Sequence, residues 1–179
     1  ENIFVNTTNN FFNDQDVKNR PQPLLIKGAQ SAGNFFNYKN DNVNEIKKII
    51  YKYLKKYHII HKESKDGIIK NWPKNFELIG WLVKMKSGGS IKPHIHDHGW
   101  LSGSIYINVP KKKNNNGNLV ISISDQKSLI ECDDYFTNKR IINVETGCFC
   151  LFPSSLFHYT IPFESESDRI VLAFDVIAK

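Results

Sequence analysis

The chain has 179 residues with 40% hydrophobic and 23% charged side chains, enough length and apolar content for one domain with a real core and too much for a disordered chain. A net charge of +6 would suit nucleic acid if it formed one stripe. The lysines are instead scattered through Lys47, Lys48, Lys55, Lys56, Lys62, Lys65, Lys84 and Lys86, as on a solvated surface, and no nucleic-acid partner is expected.

No apolar run approaches the roughly 20 residues of a membrane helix, and the opening ENIFVNTTNN lacks a basic region followed by an apolar stretch. No membrane association and a cytoplasmic location are the expectation. The three cysteines, Cys132, Cys148 and Cys150, make no C-x-x-C pair and are expected to be reduced, with Cys148 and Cys150 on one face of a strand.

Residues 1–40 carry Pro21, Pro23, Gly28 and Gly33 among short apolar pieces, which predicts a lead-in of loops with one edge strand and no long element. Over residues 44–58, Ile46, Ile49, Ile50, Tyr53, Leu54 and Tyr57 recur at the spacing of an amphipathic helix. Asn44 is placed to cap its start, and the lysines near its end suit the helix dipole. His58 and His61, at that end, have no metal-binding company and are taken as structural.

From residue 76 to 179 the pattern changes to short runs rich in Ile, Val, Phe, Tyr and Trp, broken by Gly, Pro and Asn. Strands are predicted at Phe76 to Lys86, Leu101 to Val109, Asn118 to Ser124, Arg140 to Val144, Cys148 to Phe152 and Arg169 to Ile177. Many short strands without intervening helices predict an antiparallel sandwich or barrel with one flanking helix. The polar stretch Lys111 to Asn118, KKKNNNGN, is expected to be a hairpin loop.

The densest chemical signal is Pro93-His94-Ile95-His96-Asp97-His98, with three of the six histidines in five residues. On an extended segment His94 and His96 project to one face while Ile95 turns into the core. Imidazole suits iron, copper, nickel and zinc. A third ligand must come from elsewhere, and His158, an imidazole among the apolar neighbours of LFPSSLFH, is the leading candidate. Three protein ligands with open positions leave room for substrate or dioxygen. The residues alone leave a second reading open, in which His94, His96 and His98 form a solvated turn and His158 is a core histidine bonded to backbone.

The stretches GGSIKPHIHDHGWLSGSIYINVP, GCFCLFPSSLFHYTIP and DRIVLAFDV resemble the 2-oxoglutarate- and Fe(II)-dependent oxygenases of the prolyl-hydroxylase-like superfamily. The likeness is to a bacterial and phage-associated group with H-x-H before W-L-S-G, and LIKGAQSAGNFF is similar to that group's lead-in. The resemblance implies a double-stranded β-helix, a jelly roll of the cupin type. It implies Fe(II) on His94, His96 and His158, and 2-oxoglutarate as cosubstrate in hydroxylation of a small molecule or a peptide.

One departure stands out. Where most members supply a carboxylate this chain has His96, and Asp97 lies one position late, as a displaced ligand or as a hydrogen-bond partner to an imidazole. His98 is expected at the rim. Arg169 offers a fork for the far carboxylate of 2-oxoglutarate, with Tyr106 adding a hydroxyl. Alternation places Ser102, Ser104 and Tyr106 on one inward strand face, with Ser104 a further cosubstrate contact. Trp100 either walls the entrance or packs.

The open alternatives are a surface salt bridge for Arg169 and a core or rim position for Tyr106. The rival functions are a non-catalytic jelly-roll module, or a three-histidine dioxygenase that uses no 2-oxoglutarate.

Overall fold

The computed structural model describes residues 2–111, 114–124 and 139–179. Among them are helices α1 (Asn2–Asn13), α2 (Asp41–His61) and α3 (Gly67–Lys70), a 3₁₀ turn at Phe35–Asn37, and nine strands. The strands are β1 (Asn19–Arg20), β2 (Leu25–Ser31), β3 (Phe76–His94), β4 (Leu101–Asn108), β5 (Leu119–Ser122), β6 (Arg140–Ile142), β7 (Phe149–Pro153), β8 (Phe157–Thr160) and β9 (Arg169–Ala178).

All the ladders are antiparallel, and the strands run β6-β5-β8-β3-β9-β4-β7, with β2 also paired to β3. The turning point is β3. Its first half pairs with β9 from Phe76 to Met85, while Ile91 and His94 pair with β8. Between these halves lie Gly88, at φ 75°, and Gly89, whose added Cβ would stand 2.6 Å from the Lys86 carbonyl oxygen. Two adjacent glycines let the strand bend as its partner changes from β9 to β8. The sheet closes over itself as a jelly-roll double-stranded β-helix.

Alternation then sorts the side chains. Leu78 and Leu82 of β3, Leu101, Ile105 and Ile107 of β4, and Leu172, Phe174 and Val176 of β9 pack with Val43, Ile46, Ile50 and Leu54 of α2. The opposite faces of these strands, Trp81, Val83 and Met85, Ser102, Ser104 and Tyr106, and Arg169, Val171 and Ala173, line a cavity inside the roll. Gly103 faces Phe174 across the β4–β9 ladder, and any side chain there would collide with the Phe174 ring.

Several expectations change. The lead-in holds a twelve-residue helix, α1, because Ile3, Phe4 and Phe11 pack into the helix-side core. Its periodicity is hidden in sequence because the inward positions between them are Thr7 and Thr8, both buried, with Thr7 Oγ1 donating to the Ile3 carbonyl at 2.7 Å. Helix α2 begins three residues before Asn44, and its cap is Asn40, whose side chain accepts from the Asn42 N–H at 3.0 Å. Strand β8 has no counterpart among the predicted strands.

The segment 111–118 is not a hairpin loop, because β4 pairs with β7 and β9 while β5 pairs with β6 and β8. It joins β4 to β5, which are not neighbours in the strand order; Lys112 and Lys113 lie outside the described residues, as does Cys132. Cys148 and Cys150 are free thiols. No helix among the described residues is long and apolar enough to cross a membrane.

Candidate metal centre and cosubstrate pocket

His94 and His158 stand opposite each other in the β3–β8 ladder, where directly paired side chains are neighbours; their rings are 4.2 Å apart between centroids. His96 lies just past the end of β3 and is tied down by its N–H donating to the Ser154 carbonyl at 3.0 Å. Its ring is 5.2 Å from that of His94 and 4.8 Å from that of His158. The ligand atoms of the three imidazoles lie within 4.8 Å of one another. Residues 64 positions apart in the chain, His94 and His158, thus converge because the roll brings β8 against the end of β3.

Each ring is also oriented. Nδ1 of His94 is 2.8 Å from the Lys92 carbonyl oxygen and Nδ1 of His158 is 3.2 Å from that of Leu156. Nδ1 of His96 is 2.7 Å from Oδ1 of Asp175. Carbonyl and carboxylate oxygens only accept hydrogen bonds, so each Nδ1 carries the proton and each Nε2 keeps its lone pair. That is the tautomer a metal ligand needs.

Burial, reinforced by the neighbouring imidazoles, pushes the His158 pKa down to about 3 and burial lowers that of His94, so both rings are neutral donors at ordinary pH. Ile95, between the ligands, is 37% exposed instead of turned into the core, since the chain leaves the sheet after His94. Asp97 and His98 are exposed, and no hydrogen bond ties Asp97 to an imidazole.

Farther along the cavity the expected cosubstrate residues come together. Arg169 is 3% exposed, its Nε has no hydrogen-bond partner, and it forms no ion pair among the described residues. The neighbouring Asp168 is engaged instead by Lys84 at 3.0 Å. The guanidinium lies over the Tyr106 ring, 5.1 Å from its centroid. The Tyr106 hydroxyl is fully buried with Ser104 and Arg169 as polar neighbours, and burial drives its pKa up, so it is a neutral hydrogen-bonding group.

The surface salt bridge open for Arg169 in sequence is therefore excluded. Trp100 is half-buried and packs toward the helix-side core. His58 stacks on Trp72 at 4.5 Å and His61 leans on Tyr57 at 4.7 Å, in the structural roles expected of them.

Sequence reasoning missed Asp175. Counting every second residue from Arg169 gives Val171, Ala173 and Asp175, so an acid on the cavity face of an otherwise apolar strand was there to be found. Ser154, bonded to Ser102 at 2.8 Å, carries no such signal, because only the closure of the roll brings it there.

A model of the family described as "Putative 2OG-Fe(II) oxygenase" matches residues 80–175, more than half the chain. No curated protein matches it in sequence. Among solved structures, it is similar to a prolyl-4-hydroxylase of Pseudomonas putida, with a TM-score of 0.65 and 11% identity over 99% of this chain and 85% of that one. HygX of Streptomyces hygroscopicus, solved with nickel and 2-oxoglutarate bound, aligns with a TM-score of 0.62 and 12% identity over 98% of this chain and 78% of the other. A Trichoplax adhaerens prolyl hydroxylase in complex with a hypoxia inducible factor peptide fragment gives 0.62 and 12% over 98% and 77%. At these identities the likeness is one of fold.

Proposed function

The chain belongs to the 2OG-Fe(II) oxygenase family, and on that premise we propose that His94, His96 and His158 are its iron ligands and that Arg169, Tyr106 and Ser104 receive the far carboxylate of 2-oxoglutarate. The donor set fits the metal: three imidazoles, each with its Nδ1 turned to an oxygen acceptor, would offer Nε2 to Fe(II) and leave room for a cosubstrate and dioxygen. The iron, when bound, supplies dioxygen activation, with 2-oxoglutarate giving two electrons and leaving as succinate and carbon dioxide while the substrate gains a hydroxyl oxygen.

The observation that carries this reading is Arg169. A guanidinium stays cationic in a protein, and burying one without a counter-ion costs several kcal/mol. Such a cost in the same cavity as the three imidazoles is offset when a carboxylate docks on the planar fork, with Tyr106 and Ser104 supplying hydroxyls. The protein's work is positional: the guanidinium sets how far the cosubstrate reaches toward the imidazoles, and the apolar walls exclude water. Trp81, Met85, Ile91, Leu119 and Tyr159 line the rest of the cavity, a surface suited to a C–H-bearing part of a small molecule or a peptide. A dioxygenase without 2-oxoglutarate, or a module without catalysis, would leave Arg169 buried and unpaired to no end.

Calorimetric titration of 2-oxoglutarate into Fe(II)-loaded, anaerobic protein tests the assignment. Arg169→Ala is expected to weaken binding by about 2–5 kcal/mol, the usual effect of truncating one partner of a buried charge pair. Absence of binding to the wild type, or equal binding by the variant, would overturn it.

A further inference from the structure

We propose that Asp175 is a positioning residue of the metal centre, which holds His96 in its ligating tautomer and supplies, from behind that ring, the negative charge that a carboxylate ligand would otherwise bring; this rests on the ligand assignment above. Among the described residues, His96 is the one of the three imidazoles hydrogen-bonded to a charged group. The partners of His94 and His158 are backbone carbonyls, whereas Asp175 Oδ1 accepts a hydrogen bond from His96 Nδ1 at 2.7 Å.

The carboxylate is built in. Asp175 is 8% exposed, and the imidazole it hydrogen-bonds among the described residues is that of His96. Ser102 Oγ donates to the same Oδ1 at 2.7 Å and lies 2.8 Å from Ser154 Oγ. A side chain on Gly99 would collide with Ser154 and come 3.3 Å from the Asp175 carboxyl carbon. The two hydrogen bonds to Oδ1 and the close approach of Gly99 hold the carboxylate against the His96 ring.

A divalent metal on three neutral imidazoles carries +2, one unit more than on two imidazoles and a carboxylate. An aspartate hydrogen-bonded to one imidazole returns the centre and its surroundings to +1, and makes that imidazole a stronger donor. His96 in the place of the usual carboxylate ligand is thereby compensated from β9, not by the adjacent Asp97.

The test is metal affinity, measured by anaerobic titration of the whole chain with Co(II), together with the reduction potential of the Fe(II)-loaded protein. Asp175→Asn keeps the volume but removes the charge; it is expected to weaken Co(II) binding about 10- to 100-fold and to raise the potential, with little change in the thermal midpoint of the metal-free protein. Ser102→Ala, which leaves the carboxylate on His96 but frees it to rotate, is expected to lose less, and it keeps the proposal testable should Asp175→Asn fail to fold. Affinity and potential equal to wild type in the folded variants would overturn the role of Asp175 alone. A wild type that binds no Co(II), or a His94→Ala variant that binds it as tightly, would overturn the ligand assignment and this proposal with it.

Discussion

The two faces of β9 divide the labour of this molecule. One face, Leu172, Phe174 and Val176, is fully buried against the helices and contains nothing but hydrocarbon. On the other face Arg169, Val171 and Ala173 line the cavity and Asp175 sits against His96, so two charged groups lie in the interior, one on a histidine and one without an ion pair among the described residues. The first face gains stability from apolar burial. The second sacrifices some of it to keep charges where ligands can meet them. The same alternation operates on β4, with Leu101, Ile105 and Ile107 facing the helices and Ser102, Ser104 and Tyr106 facing the cavity.

Substitutions on the two faces should therefore have opposite signs. Phe174→Ala removes a ring that packs on Phe36 and Phe149 and is expected to cost about 3–5 kcal/mol of folding stability in urea. A loss well under that would mean the helix-side core is not the main source of stability. Arg169→Met, by contrast, replaces a buried unpaired cation with a flexible hydrophobe, and should stabilise the metal-free protein by about 1–4 kcal/mol. Destabilisation would show that the guanidinium has a structural partner after all.

Acid should act on the cavity face through its buried imidazoles. Above about pH 6.5 the imidazoles of His94 and His158 are neutral in both folded and unfolded chains. Because burial lowers both pKa values in the folded protein, the unfolded chain takes up protons below that pH which the folded one refuses. Stability of the metal-free protein is thus expected to fall from about pH 6.5 toward pH 3 through His158, by up to about 1.4 kcal/mol per pH unit, with a further loss below pH 6.5 through His94. Urea midpoints at pH 7.5, 6 and 5 would reveal it, and a flat profile would place the rings in contact with water. The smallest effect belongs to Asp168→Asn, which breaks a half-exposed ion pair with Lys84 and should change stability by less than about 1 kcal/mol. A larger change would make Asp168, adjacent to Arg169 in sequence, part of the cavity electrostatics.

How much of this was legible in the sequence follows from where each signal is written. The helix α2 and six of the strands are carried by local periodicity, and the H-x-H pair, His158 and Arg169 stand out because polar groups interrupt apolar strands. What was hidden depends on closure of the roll. Thr7 and Thr8 conceal the inward face of α1, the segment 111–118 resembles a turn although its flanking strands never pair, and Ile95 is exposed because the chain leaves the sheet after His94. Asp97 drew attention through proximity in sequence, yet the carboxylate that reaches His96 lies 79 residues away in the chain.

The most direct test of the central claim is X-ray absorption at the iron edge of the Fe(II)-loaded protein, in which multiple scattering counts the imidazole rings on the metal. Three rings are predicted, from His94, His96 and His158. Two rings, with a protein carboxylate in place of the third, would contradict the assignment of His96 and with it the division of charge between that ring and Asp175.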